Sequence, residues 1–322
     1  MDSLYKEMLD RVELEIAELD LPNEPSRLYD PIRYIMSLGG KRVRPVLTLL
    51  GCELFNVSGE QAMQQALAVE LFHNFTLIHD DVMDSAEVRR KLPTVHKKWS
   101  HNVALLSGDA MMVLAYQRLL FHSGNNAEEL VSVFSKTALE VCEGQQLDMD
   151  YALRDELSMV EYIEMIRLKT AVLLSCSLQL GAIVAGAHDK QLAALKTFGE
   201  SLGLAFQVKD DYLDAFGGDE FGKAIGGDIA EGKRTWLTVK CLELADVETR
   251  MRLLSAYKLE DAGVRFNEVM TIYGSLNVRQ LANEEVRRYS QQAIDAVKSI
   301  EGNEKVKETL LWLVSMLIGR TN

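Results

Sequence analysis

Two acidic runs hold the residues best suited to chemistry, His79-Asp80-Asp81-Val82-Met83-Asp84 and Lys209-Asp210-Asp211-Tyr212-Leu213-Asp214. Each places aspartates at i, i+1 and i+4, and at about 100° per helical residue these fall within one quadrant. Like charges so placed repel by roughly 0.2–0.5 kcal/mol per pair, so the pattern is poor as a stability device and asks for a cation. Carboxylates that do not close a cage suit Mg²⁺, which keeps several waters and shares its shell with phosphate oxygens. A calcium-binding loop is excluded, because its turn glycine and terminal glutamate are missing at the required spacing. One such run alone is more often a solvated helix end. Two copies, each closing an apolar stretch and each followed by a basic loop, make chance a poor account.

The complementary charge lies in those loops. Lys41, Arg44, Arg89, Arg90, Lys169, Lys223 and Lys233 can grip diphosphate oxygens, the arginines through paired charge-assisted bonds. They stand out because the whole chain is acidic, with 35 Lys+Arg against 48 Asp+Glu and a net charge of −13. That balance argues against a nucleic-acid partner. Ideal helix geometry puts His73 about 20° from Asp80 and two turns below it, and Gln207 one turn below Asp210. Each alone would read as a satisfied polar residue of a core; their value is joint.

The elements that must carry these residues read as helices. Leu4, Met8, Val12, Ile16 and Leu19 recur at helical spacing until Pro22 and Pro25. A second helix is expected from about Pro31 to Leu38, ending at Gly39-Gly40, with Pro45 opening the next. Ser58-Gly-Glu-Gln61 and Ser158-Met-Val-Glu161 have the spacing of capping boxes, and Asp189 that of a cap. Strand alternation is missing. Five prolines and no long Pro/Gly/Ser linker favour one continuous helical domain over 1–322. Cys52, Cys142, Cys176 and Cys241 sit among apolar residues without metal-ligand spacing and read as buried, reduced thiols of a cytoplasmic protein. The acidic N-terminus does not resemble a signal peptide. Thr170 to Ala187 is uncharged over about the minimum length of a membrane span, yet its polar residues favour a buried helix over stable membrane insertion.

Together these residues resemble the trans-isoprenyl diphosphate synthases, or polyprenyl synthetases. The likeness runs through GGKRVRP at Gly39, HDDVMD, RRKLPTVHKKW, EGQQLD, Lys169-Thr170, FQVKDDYLD, FGKAIGGDI and GKRTW. It implies an all-α, single-domain isoprenoid-synthase bundle around a central cavity, usually a homodimer. The implied reaction is head-to-tail condensation of an allylic diphosphate with isopentenyl diphosphate. On that resemblance Asp80, Asp81, Asp84, Asp210 and Asp211 hold Mg²⁺ on the allylic diphosphate, with Asp214 nearby, and Arg89, Lys169, Lys223 and Lys233 bind the same group. Gly40, Lys41, Arg44, His73 and Arg90 bind isopentenyl diphosphate, and Thr170 and Gln207 line the path of the allylic cation.

Two departures stand out: Lys91 follows Arg89-Arg90 where the family often has glycine, and the C-terminal basic cluster is reduced to Arg320. Phe75, five residues before Asp80, is the family's position for a bulky cap on the growing chain, although ideal geometry turns Thr76 closer to the acidic face. The expected product has fifteen or twenty carbons. The competing readings are a terpene cyclase, which needs no Lys41/Arg44/Arg90 site, and a non-catalytic subunit of a prenyl synthase.

Overall fold

The computed structural model describes residues 2–152, 154–217 and 226–319. In chain order the helices are α1 (Ser3–Ala17), α2 (Ser26–Ser37), α3 (Val43–Glu53), α4 (Met63–Met83), α5 (Val95–Lys98) and α6 (His101–Leu120). There follow α7 (Ala127–Ala152), α8 (Met159–Ile166), α9 (Val172–Val184), α10 (Asp189–Phe216) and α11 (Gly227–Glu231). The last are α12 (Trp236–Leu244), α13 (Val247–Ala256), α14 (Ala262–Ser275), α15 (Val278–Lys298) and α16 (Glu304–Ile318). Among the described residues the all-α expectation holds apart from one hairpin, β1 (Val88–Arg89) and β2 (Leu92–Pro93), too short to leave an alternation in the sequence.

The chain divides into two compact units. The first comprises Met1–Ser135, Cys176–Ala193 and Ile300–Leu310. Its axis is α4, which buries residues on every side, among them Leu67, Val69, Leu71, Phe72 and Ile78, as a helix apolar all round must. α4 packs along α6 and α3. Truncating a fully buried side chain such as Leu67 would cost about 2–5 kcal/mol.

The second unit comprises Lys136–Ser175, Ala194–Ser299 and Leu311–Asn322. Its core gathers Tyr162, Val208, Trp236, Val269, Ile272 and Tyr273. The buried hydroxyl of Tyr273 is satisfied by Thr238 Oγ1 at 2.8 Å, which removes the cost of burying it.

Local signals hold where a side chain supplies the bond. Ser158 and Glu161 form both halves of a capping box at the head of α8. Ser58 does not: it precedes a 3₁₀ turn, Gly59–Ala62, and makes no side-chain cap, because α4 begins only at Met63. α2 likewise starts at Ser26, five residues before Pro31, which sits inside it. The stretch from Met159 to Val184 is one mostly buried helical run, interrupted by a π-turn at Arg167–Ala171. Cys52, Cys176 and Cys241 are buried, whereas Cys142 is exposed, since α7 turns that position outward.

Candidate active site

In the first unit α4 delivers the first aspartate run at its C-terminal end, with Asp84 as the C-cap. The three aspartates are not equivalent. Asp81 is buried and holds Arg89 through two bonds, Nε to Oδ2 at 2.8 Å and Nη2 to Oδ1 at 2.8 Å. Asp80 is partly exposed, 3.7 Å from Arg89 Nη2, and Asp84 is exposed.

Arg89 ends β1, and the next two residues make the hairpin turn. Arg90 and Lys91 have φ of 51° and 67°, the left-handed pair of a two-residue type I′ turn. The turn therefore forms with Lys91, at the steric cost of a Cβ in the left-handed region. Its effect is to separate neighbours: Arg89 meets the aspartates, and Arg90 lies against Gly40, where a Cβ would come within 2.9 Å of Nη2.

Around Gly40 the sequence-predicted residues do come together. Arg44 Nη1 lies 3.2 Å from His73 Nε2. Arginine has only donors, so the His73 ring accepts there and carries its proton on Nδ1. Burial, then the guanidiniums of Arg44, Arg90, Arg89 and Arg42, hold His73 well below the ordinary histidine range. Burial also pulls Arg44 down to about 10, and its Nε is buried with no hydrogen-bond partner among the described residues. Lys41 is exposed in the loop. Arg44 and Arg90 make no ion pair among the described residues, so this cationic patch has capacity for an anion.

Phe75 packs against Phe72 and His79, ring centroids 5.6 and 4.7 Å apart, and Phe72 continues the row to Phe134. Thr76 Oγ1 bonds the His73 carbonyl.

In the second unit Asp210, Asp211 and Asp214 lie in the last two turns of α10. Again the middle aspartate is the buried one. Asp211 accepts from Tyr162 Oη at 2.5 Å, from the Trp236 N–H at 2.7 Å and from Gln207 Nε2 at 3.0 Å. The Trp236 N–H is the first of α12 and has no partner within that helix. Despite these donors, burial pushes the Asp211 carboxyl up to about 7. Thr170 Oγ1 donates to Gln207 Oε1 at 3.3 Å, so Thr170, Gln207 and Asp211 form one chain.

Lys169 and Thr170 sit in the π-turn, an irregularity often found at functional sites. Gly144 of α7 permits this: a Cβ there would lie 2.3 Å from the Lys169 nitrogen. Lys169 Nζ bonds Asp148 at 2.5 Å.

Asp214 Oδ2 accepts from the Asp228 N–H at 3.0 Å. The Asp228 carboxyl is pushed up to about 6, by burial first and then by the charges of Asp214 and Asp210 against the pull of Lys233. Lys233 lies 3.6 Å from Asp228 and 2.8 Å from Glu231. Lys223 lies outside the described residues. No group of three or more His, Cys, Asp or Glu closes a metal cage among the described residues.

A polyprenyl synthetase model matches residues 25–273. The chain belongs to the polyprenyl synthetase family. It is 34% identical over 319 residues to the short chain isoprenyl diphosphate synthase of Methanothermobacter thermautotrophicus, covering 98% of this chain and 96% of that one. The geranylgeranyl pyrophosphate synthetase structure from Pyrococcus horikoshii superposes with a TM-score of 0.92 at 30% identity over 98% of each chain. A polyprenyl synthase from Caulobacter crescentus, solved with calcium and isoprenyl diphosphate, matches at TM-score 0.82 and 26% identity, covering 99% of this chain and 95% of that one. Polyprenyl synthetases are metal-dependent prenyltransferases with the all-α isoprenoid-synthase fold.

Against that family pattern, sequence reasoning assigned no role to the residues that hold the site rather than form it. Asp148, Tyr162 and the Trp236 N–H carry no spacing signal of their own, since their partners are 21, 49 and 25 residues away. Asp228 was visible as a carboxylate after Gly226-Gly227 in a basic loop, and its separation from Asp214 concealed the crowding.

Proposed function

We propose that the whole chain, 1–322, is one prenyltransferase domain that joins an allylic diphosphate head-to-tail to isopentenyl diphosphate and releases diphosphate. The observation that carries this lies within the first unit. Consecutive residues Arg89 and Arg90 serve different neighbours, the aspartate run on one side and Gly40 with its cationic patch on the other. Such a division suits two anionic substrates. A terpene cyclase takes one.

The residues present fit a hard divalent cation. Asp80 and Asp84 present reachable carboxylates, and burial first, then the charges of Asp214 and Asp210, raise the Asp228 carboxyl. Among the described residues no protein cage closes, and a shell completed by water and diphosphate favours Mg²⁺. In this reading Asp80, Asp84, Asp210 and Asp214 hold Mg²⁺, and Asp81 and Asp211 act behind them. Bound Mg²⁺ stabilises the charge that develops on the departing diphosphate.

The chain's own residues do the rest. Arg89, Lys169, Lys223 and Lys233 bind the allylic diphosphate. Gly40, Lys41, Arg44, His73 and Arg90 bind isopentenyl diphosphate, His73 as a neutral ring. Thr170 and Gln207 present oxygens along the path of the allylic cation, which needs otherwise dry surroundings.

The product is proposed to have fifteen or twenty carbons, with Phe75 in its aromatic row as the floor. Phe75→Ala is expected to lengthen it, and an unchanged distribution removes Phe75 from that role. The protein is proposed to act in the cytoplasm, without membrane insertion or nucleic acid, as a homodimer. The outer face of α6 exposes Leu105, Leu106, Val113 and Leu120 for a second copy; a monomer by light scattering removes that assignment.

Incubation with Mg²⁺ and geranyl diphosphate, with and without isopentenyl diphosphate, tests the reaction. Elongated product only with both substrates is expected. Product from geranyl diphosphate alone identifies a cyclase, and diphosphate binding without turnover a non-catalytic subunit.

A further inference from the structure

The loop Gly39 to Arg42 has an improbable backbone. Gly39, Gly40 and Arg42 all have positive φ, at 72°, 147° and 46°. For Arg42 this conformation carries the penalty of a Cβ in the left-handed region, so something must hold it.

What holds it is the Arg42 side chain. Although Arg42 stands between Lys41 and Arg44, its side chain is 1% exposed and turned into the first unit. Nη1 donates to Glu70 Oε1 of α4 at 2.5 Å, Nε to Glu13 of α1 at 3.0 Å and Nη2 to the Met36 carbonyl of α2 at 2.6 Å. Glu70 is 2% exposed and is itself fixed by Asn74 Nδ2 at 3.0 Å. Meanwhile Tyr5 Oη donates to the Lys41 carbonyl at 2.6 Å.

All three guanidinium nitrogens are engaged within the first unit, and the side chain is buried away from a substrate. We infer that Arg42, clamped on Glu70, is a positioning residue. It fixes the loop on which Gly40 meets Arg90, Lys41 stands exposed and α3 begins with Arg44 aimed at His73. The planar fork is essential to this, because three directions must be satisfied from one side chain, and a lysine ammonium on a flexible stem does not reproduce them. Preorganising cationic ligands before the substrate arrives lowers the cost of binding it.

This inference rests on the assignment of the Gly40 loop to isopentenyl diphosphate, and the test separates the two. In the full-length protein, wild type, Arg42→Lys and Tyr5→Phe are compared by steady-state kinetics in each substrate and by amide hydrogen exchange without substrate. Arg42→Lys is expected to raise KM for isopentenyl diphosphate at least tenfold, to leave KM for the allylic diphosphate within about twofold, and to speed exchange across residues 38–44. Tyr5→Phe, which removes one neutral donor, is expected to raise the same KM two- to fivefold. Equal rises in both KM values, or unchanged exchange in the loop, overturn the positioning role. If Arg42→Lys does not fold, Tyr5→Phe decides, and an unchanged KM and exchange rate there count against the inference. Faster exchange in the variants of a wild type that never uses isopentenyl diphosphate would instead show that the substrate assignment is at fault.

Discussion

The two aspartate runs share a spacing and a division of labour but differ in what anchors them. In both, the middle residue is buried and the outer residues are more accessible. Asp81 places its oxygens on a cation, Arg89, which is itself proposed to bind the allylic diphosphate. Asp211 spends its oxygens on neutral donors, Tyr162, Gln207 and the Trp236 N–H, and its carboxyl rises to about 7. The first run thus couples carboxylates proposed to hold the metal to an arginine proposed to bind phosphate. The second couples them to the joints among α8, α10 and α12, and to the Thr170–Gln207 chain.

The largest effects should come from the outer residues, where the runs are alike. Asp80→Ala and Asp210→Ala are each expected to lower turnover by orders of magnitude while the far-UV helix signal persists. A wild-type rate in both would remove the metal assignment.

The middle residues should separate the runs. Asp81→Asn and Asp211→Asn are each expected to cost about 1–3 kcal/mol in urea melts, because bonds to buried oxygens are lost. Only Asp81→Asn should also raise KM for the allylic diphosphate several-fold, through a released Arg89. Equal KM effects would erase the distinction.

A smaller effect belongs to the first unit alone. His73 is held neutral in the fold, whereas the unfolded chain takes up a proton near pH 6.5. The stability that this neutral ring contributes is complete above about pH 6.5 and declines by up to ~1.4 kcal/mol per pH unit as pH falls toward the folded value. His73→Gln is expected to flatten the dependence between pH 7.5 and 5.5, and urea midpoints at the two values check it. Smallest is Lys91→Gly, expected to stabilise the hairpin by about 1 kcal/mol through relief of the left-handed turn. An unchanged or lower melting temperature would show that Lys91 carries no strain.

The helices, and the candidate site they carry, were legible because their signals are local. An i, i+1, i+4 run needs only helical spacing, and α4 and α10 supply it. The same geometry put Gln207 on the acidic face one turn below Asp210, and the contact it makes there is with Asp211. What stayed hidden depends on partners distant in the chain. Arg42 looked like one more basic residue until the fold brought Glu13, Met36 and Glu70 around it. The hairpin of two-residue strands was too short to show a period of two. Ser58 carried the letters of a capping box but lies one 3₁₀ turn too early for α4.

The central claim is that the accessible aspartates of both runs bind diphosphate through a divalent cation. Titration calorimetry of inorganic diphosphate into wild type, Asp80→Asn and Asp210→Asn, with and without Mg²⁺, tests it most directly. The expected result is binding that requires Mg²⁺ and weakens at least tenfold in each variant. Binding of equal strength without Mg²⁺, or wild-type affinity in both variants, would contradict it.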